Sequence, residues 1–167
     1  AAQARLETLA HWIGLLPDAI ASSAPWLLYW RAQSRLTAHP VEARDLAEKA
    51  FARFEKNDDA LGLYLSWASV VSAHAADWLT FTELDRWLAI FDALRQRHPI
   101  FPSPEAEARI TFCMLMILTN RPANRFDTAF WLERAEALVQ DFSDSNQRFL
   151  VGTPLALYYF WIGEMKR

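Results

Sequence analysis

The side chains able to do chemistry are few and far apart. Four histidines, His11, His39, His74 and His98, are spread over a chain of 167 residues. No two of them stand three or four positions apart beside a carboxylate, the spacing that would put two imidazoles on one helix face for a metal. His39 and His98 each precede a proline, where a helix boundary calls for a polar loop residue. Cys113 is the single cysteine, so neither an internal disulfide nor a cysteine-based zinc site can form. Its neighbours Phe112, Met114 and Leu115 mark it as a packed, inert thiol. Asp58-Asp59 and the run from Asp141 to Asp144 place carboxylates in short loops, yet neither has calcium-loop spacing; both fit helix ends and caps. The acids Asp77 and Asp85 show no convergence for acid–base work. With no nucleophile–base order and no glycine-rich loop, the sequence predicts no catalytic residue, no metal and no cofactor.

What the chain has in excess is aromatic surface, including eight tryptophans. Trp12, Trp30, Trp67, Trp87, Trp131 and Trp161 mostly stand on apolar stripes at helical spacing, which predicts packing in a core. The candidate ligand or partner groove is drawn from polar-edged residues on the most apolar helices: Tyr29, Arg31, Tyr64, Ser66, Tyr158 and Trp161. In a stacked array, inner-helix residues that escape neighbour contacts face a concave groove.

Those residues need a helical frame, and composition supplies one. Hydrophobic residues make up 53% and charged residues 22%, a balance that folds rather than staying disordered. The net charge of −3 gives no basic field for nucleic acid, so no direct nucleic-acid contact is expected. The longest apolar run, Ile110 to Leu118, is too short to cross a bilayer. The charged start shows no signal peptide, and the reading is cytoplasmic. A start without Met predicts a segment cut from a larger chain.

Prolines and small polar residues punctuate eight expected helices. They run roughly Gln3 to Leu16, from Pro25, Pro40 to Lys56, Ala60 to Ala76, from a Thr80–Glu83 capping box to before Pro99, from Ser103-Pro104 to Asn120-Arg121-Pro122, Arg125 to Phe142, and Asn146 to Ile162. Pro154 is expected to kink or restart the last one. The third carries Ala43, Leu46, Ala47, Ala50, Phe51 and Phe54 on one stripe. The fifth repeats this with Leu84, Trp87, Leu88, Phe91 and Leu94, and the seventh with Trp131, Ala135, Leu138 and Phe142. These are one-sided helices. The even-numbered helices are apolar nearly all round and must be covered on several sides.

One-sided helices alternating with enclosed ones are what stacked helix hairpins produce, whereas a closed bundle needs every helix amphipathic. The expected fold is therefore all-α: a right-handed, tetratricopeptide-like superhelix of about four antiparallel helix pairs, forming one repeat domain over residues 1–167. The enclosed helices begin about 35 to 44 residues apart, within the range of α-hairpin repeats.

Trp12, Leu16-Pro17 and Pro25-Trp26-Leu27, with Ala32 and Leu36 beyond, resemble the opening of the helical arm of MalT-type regulators. Leu63, Trp67-Ala68, Leu84 to Trp87 and Phe101 to Glu105 are similar to further segments of such arms. Leu157 to Glu164 resembles the first helix and turn of a tetratricopeptide repeat, with Tyr159 at its aromatic position and Gly163 at its turn glycine. The resemblance implies a protein-interaction or sensor arm of a bacterial signalling ATPase and transcriptional regulator. Its partner would be a protein, a peptide or another domain of the parent chain. It also allows a receptor whose aromatic groove holds a small-molecule inducer. No phosphate-binding loop or DNA-reading module lies in this stretch. The final repeat reads as truncated after Gly163, and the apolar face so left predicts self-association.

Overall fold

The computed structural model describes residues 2–77, 82–120 and 128–163. Among them it contains nine α-helices and no strand, as an all-α chain requires. The chain divides into two compact units, Ala1–Ile100 and Phe101–Arg167, where the sequence suggests one repeat domain.

The first unit holds α1 (Ala2–Gly14), α2 (Asp18–Ser23), α3 (Pro25–Arg35), α4 (Pro40–Asn57), α5 (Ala60–Asp77) and α6 (Thr82–Arg97). Pro25 and Pro40 each stand in the first helical turn, where a missing N–H leaves nothing unpaired. The short α2 was not among the expected elements; its six residues are too few to carry a helical period. The Thr80–Glu83 capping box and the Arg125 start rest on residues outside the described ones.

The α4–α5 hairpin is the centre of this unit. Asp58 closes α4 in the left-handed region at φ 52, a conformation Asp tolerates better than most side chains. One residue on, Asp59 starts α5 by accepting a hydrogen bond from the Gly62 N–H at 2.9 Å through its carboxylate, an N-cap. The paired aspartates are thus a helix stop and a helix start. Ala43, Leu46, Ala47, Ala50, Phe51 and Phe54 are all buried, the stripe the spacing predicts. The Phe54 ring fills the space over Gly62, so closely that a Cβ there would overlap it. Trp26 of α3 meets the same ring edge-on at 4.8 Å. On α6, Leu84, Trp87, Leu88, Phe91 and Leu94 are buried as expected. Trp67 of α5 packs on Phe91 at 4.5 Å and donates its indole N–H to the Trp87 carbonyl at 2.7 Å.

The second unit holds α7 (Pro104–Asn120), α8 (Thr128–Asp141) and α9 (Ser145–Ile162). Ser103 caps α7 by accepting from the Ala106 N–H at 3.1 Å, and α7 ends at Asn120, where the sequence places its stop. Ala108, Leu115, Ala135, Leu138, Val151, Leu155 and Tyr159 form its core. Arg134 of α8 clamps Glu107 of α7 with both arms of its guanidinium, at 2.5 and 2.8 Å. Asp144 caps α9, and Gly163, at φ 78, closes it, as a turn glycine should. α9 does not restart at Pro154 but runs through it as one helix.

One expectation fails on α9. Its apolar composition calls for cover on several sides, yet burial is confined to the stripe Val151, Pro154, Leu155 and Tyr159. Phe149, Leu157 and Phe160 stand exposed.

The two helical glycines separate packing from propensity. Ala at position 152, inside α9, should gain about 1 kcal/mol of helix propensity, whereas Gly62 stands in the first turn of α5. At Gly152 an added Cβ meets only Val139 Cγ2 at 3.7 Å, so Gly152→Ala should raise the urea midpoint in dilute solution. Gly62→Ala should lower it, because displacing the Phe54 ring costs about 1–3 kcal/mol.

Candidate functional site

The six groove candidates do not assemble into one site. Tyr29 and Arg31 sit on α3, Tyr64 and Ser66 on α5, and Tyr158 and Trp161 on α9 of the other unit. Tyr29 is fully buried, edge-on to Trp26 at 5.7 Å and Trp30 at 5.0 Å. Ser66 is fully buried too, its hydroxyl donating back to the Gly62 carbonyl of its own helix at 2.5 Å. The buried Tyr64 donates its phenol to the His98 carbonyl at 2.5 Å. These three are packing residues with no surface to offer a ligand, which corrects their assignment to a groove. Arg31 and Tyr158 are half-buried, and Trp161 stands open.

His98 and Asp58 build structure. Asp58 holds Arg97 at 2.7 Å and His98 at 3.0 Å on one carboxylate oxygen, tying the end of α6 to the α4–α5 turn. Cys113 is buried in α7. Among the described residues no three His, Cys, Asp or Glu side chains converge as metal ligands would, and the Asp77 side chain lies outside them. Of the tryptophans expected in the core, Trp67, Trp87 and Trp131 are buried and Trp30 is half-buried, whereas Trp12 and Trp161 are exposed.

The surface that stands out is the outer side of α9. Phe149 is 75% exposed, Phe160 58%, Leu157 44% and Trp161 70%. Ser145, Arg148, Gly152, Thr153 and Ala156 complete an open trough along Phe149, Leu157 and Phe160. Gly152 and Ala156 also border a cleft of about 510 Å³ between α8 and α9, with Val139, Leu155 and Tyr159. Trough and cleft therefore meet over the smallest side chains of the helix. Polar groups fix the rim: the Tyr159 phenol donates to Glu136 at 2.5 Å, and Arg148 turns its guanidinium onto the Phe142 carbonyl at 2.5 Å. Large contiguous apolar patches are uncommon on water-facing surfaces, which sets this face apart from the rest of the described helix.

Sequence reasoning passed over Phe149, Leu157 and Phe160 because they lie in a stretch read as enclosed. The usable signal was a second stripe. Val151, Leu155 and Tyr159 already account for one buried face at helical spacing, so apolar residues on the far side needed cover of their own.

Burial pushes the Tyr64 phenol above the ordinary tyrosine value, and the adjoining Arg95 guanidinium pulls it partly back. Below the ordinary value both folded and unfolded chains keep the proton, and stability is unaffected. As pH rises past it, the unfolded chain ionises first, so stability falls until the raised folded value is passed. Tyr64→Phe should cost about 1 kcal/mol at neutral pH through the lost hydrogen bond and should flatten the alkaline fall. Urea midpoints across the alkaline range check this; curves that run parallel for the two proteins would place Tyr64 on an open surface. No family model, no curated protein and no solved structure matches this chain, so the role of the α9 face rests on its own geometry.

Proposed function

We propose that this chain is a non-catalytic protein-interaction module whose docking face is the outer side of α9. The observation that carries this reading is the open stripe of Phe149, Leu157 and Phe160 on a helix already packed along its opposite side. An amphipathic partner helix is read by such anchors at helical spacing. A small-molecule site, by contrast, encloses most of its ligand's surface, and a face built on one helix cannot surround a metabolite. That difference favours a protein over an inducer as the occupant.

The wider setting belongs to the same proposal. A tetratricopeptide-like repeat fold is supported by the alternation of one-sided and more apolar helices, a cytoplasmic location by the charged start, and a place in a bacterial signalling or transcriptional regulator by the resemblance of the helical-arm segments. Among the described residues no helix is long and apolar enough to cross a membrane, which is compatible with that setting.

A photo-crosslinking residue tests the face directly. Placed at Phe149 or Phe160 and irradiated in extract of the producing cell, it should yield protein adducts well above those from the exposed α4 position Arg53. Equal yields from all three positions would sink the proposal.

A further inference from the structure

We propose that the occupant of the α9 face is a second copy of this chain, held in an antiparallel α9–α9 pair. The inference rests on the reading of that face as a protein-docking surface and adds the identity of the partner.

Phe149, Thr153, Ala156 and Phe160 follow one another at steps of four, three and four residues, the spacing of a coiled-coil seam. All four line the open trough. Their order by size is large, small, small, large. Reversed end for end, the stripe presents the same order. Two copies related by a two-fold axis between residues 154 and 155 would therefore set Phe149 against the partner's Phe160, and Thr153 against the partner's Ala156. The end layers become aromatic pairs, which favour edge-to-face contact. The middle layers are small, and Gly152 beside them lets the two backbones approach closely. An unrelated helix would need an independently matched sequence, whereas a second copy matches itself, as an isologous interface requires.

Charge decides the orientation. Among the described residues, Arg148 is the one charged residue bordering the trough. A parallel pair would set two Arg148 side chains next to each other, and like charges so placed repel. An antiparallel pair separates them by roughly 20 Å along the axis, at 1.5 Å per residue, and opposes the two helix dipoles favourably.

Area sets the strength. The partly exposed Phe149, Leu157 and Phe160 offer on the order of 300–400 Å² per copy, given about 150–250 Å² for a whole aromatic side chain. The total, roughly 700 Å², falls below the roughly 1,200–2,000 Å² of permanent complexes. The pair is thus a weak dimer governed by concentration.

Sedimentation velocity on the intact chain over about 10 µM to 1 mM should show a species at twice the 19.2 kDa chain mass that grows with concentration. Ala156→Glu sets two carboxylates beside the axis and should abolish that species, with helical circular dichroism and melting temperature kept because the position is exposed. Phe160→Ser should weaken dimerisation at least tenfold. A spin label on Ser145→Cys should report about 30 Å between copies, from the rise per residue; the native Cys113 is buried and escapes labelling. A strict monomer at the highest concentration, a dimer indifferent to Ala156→Glu, or labels about 10 Å apart as in a parallel pair would each overturn the proposal. Crosslinking of Phe149 or Phe160 to a different protein, with the chain monomeric, would leave the docking face standing and remove only self-pairing.

Discussion

The first unit depends on a side chain that is absent. Gly62 leaves room on α5 for the Phe54 ring, and that close approach lets α4 and α5 lie against each other along their length. Gly62 stands in the first turn of α5, where the ring takes the place a side chain would occupy. The effect spreads outward from that point. Phe54 receives Trp26 from α3, while further along α5 Tyr64 and Trp67 face Phe91 of α6 at 6.3 and 4.5 Å. A larger residue at position 62 would push α4 away and loosen both sides of the hairpin at once.

Polar groups finish what the rings begin, nearly always by satisfying backbone. The Trp67 indole serves the Trp87 carbonyl, the Tyr64 phenol serves the His98 carbonyl, and Arg95 reaches the Pro99 carbonyl at 2.6 Å. Between α3 and α5, the Gln33 amide meets the Ser69 hydroxyl at 2.6 Å. In the second unit Arg148 does the same for Phe142, and the Arg134–Glu107 pair crosses from α8 to α7. A buried carbonyl or hydroxyl left unmet costs on the order of 1–3 kcal/mol. These polar side chains therefore tie neighbouring elements together while meeting hydrogen-bonding groups at or near the core.

That explains which parts were legible in the sequence. The stripes Ala43 to Phe54 and Leu84 to Leu94 could be read because a one-sided helix declares its buried face through its own spacing. The aspartate pair at 58 and 59 was readable as stop and cap for equally local reasons. Tyr29, Tyr64 and Ser66 were misassigned because a hydroxyl suggests exposure, yet all three are buried. Ser66 bonds back to its own helix, and Tyr64 reaches a carbonyl 34 residues away. No local pattern encodes the second kind of partner. α9 misled for the opposite reason, since a helix apolar all round looks the same whether its second face meets a core or a partner.

The same helix shows why an uncovered face need not be a defect. Its geometry is fixed from behind and from both ends. Val151, Leu155 and Tyr159 anchor its inner stripe in the core, Asp144 and Gly163 close its termini, and Tyr159 is held by Glu136. None of these contacts uses the side chains of Phe149, Thr153, Ala156 or Phe160. The outer stripe is thus held in register before anything binds, so a docking partner has no helix to order and avoids about 1–2 kcal/mol of backbone entropy per residue. Preorganisation of this kind turns a modest apolar area into usable affinity. It also allows a small face to act reversibly, because association leaves the fold behind it unchanged.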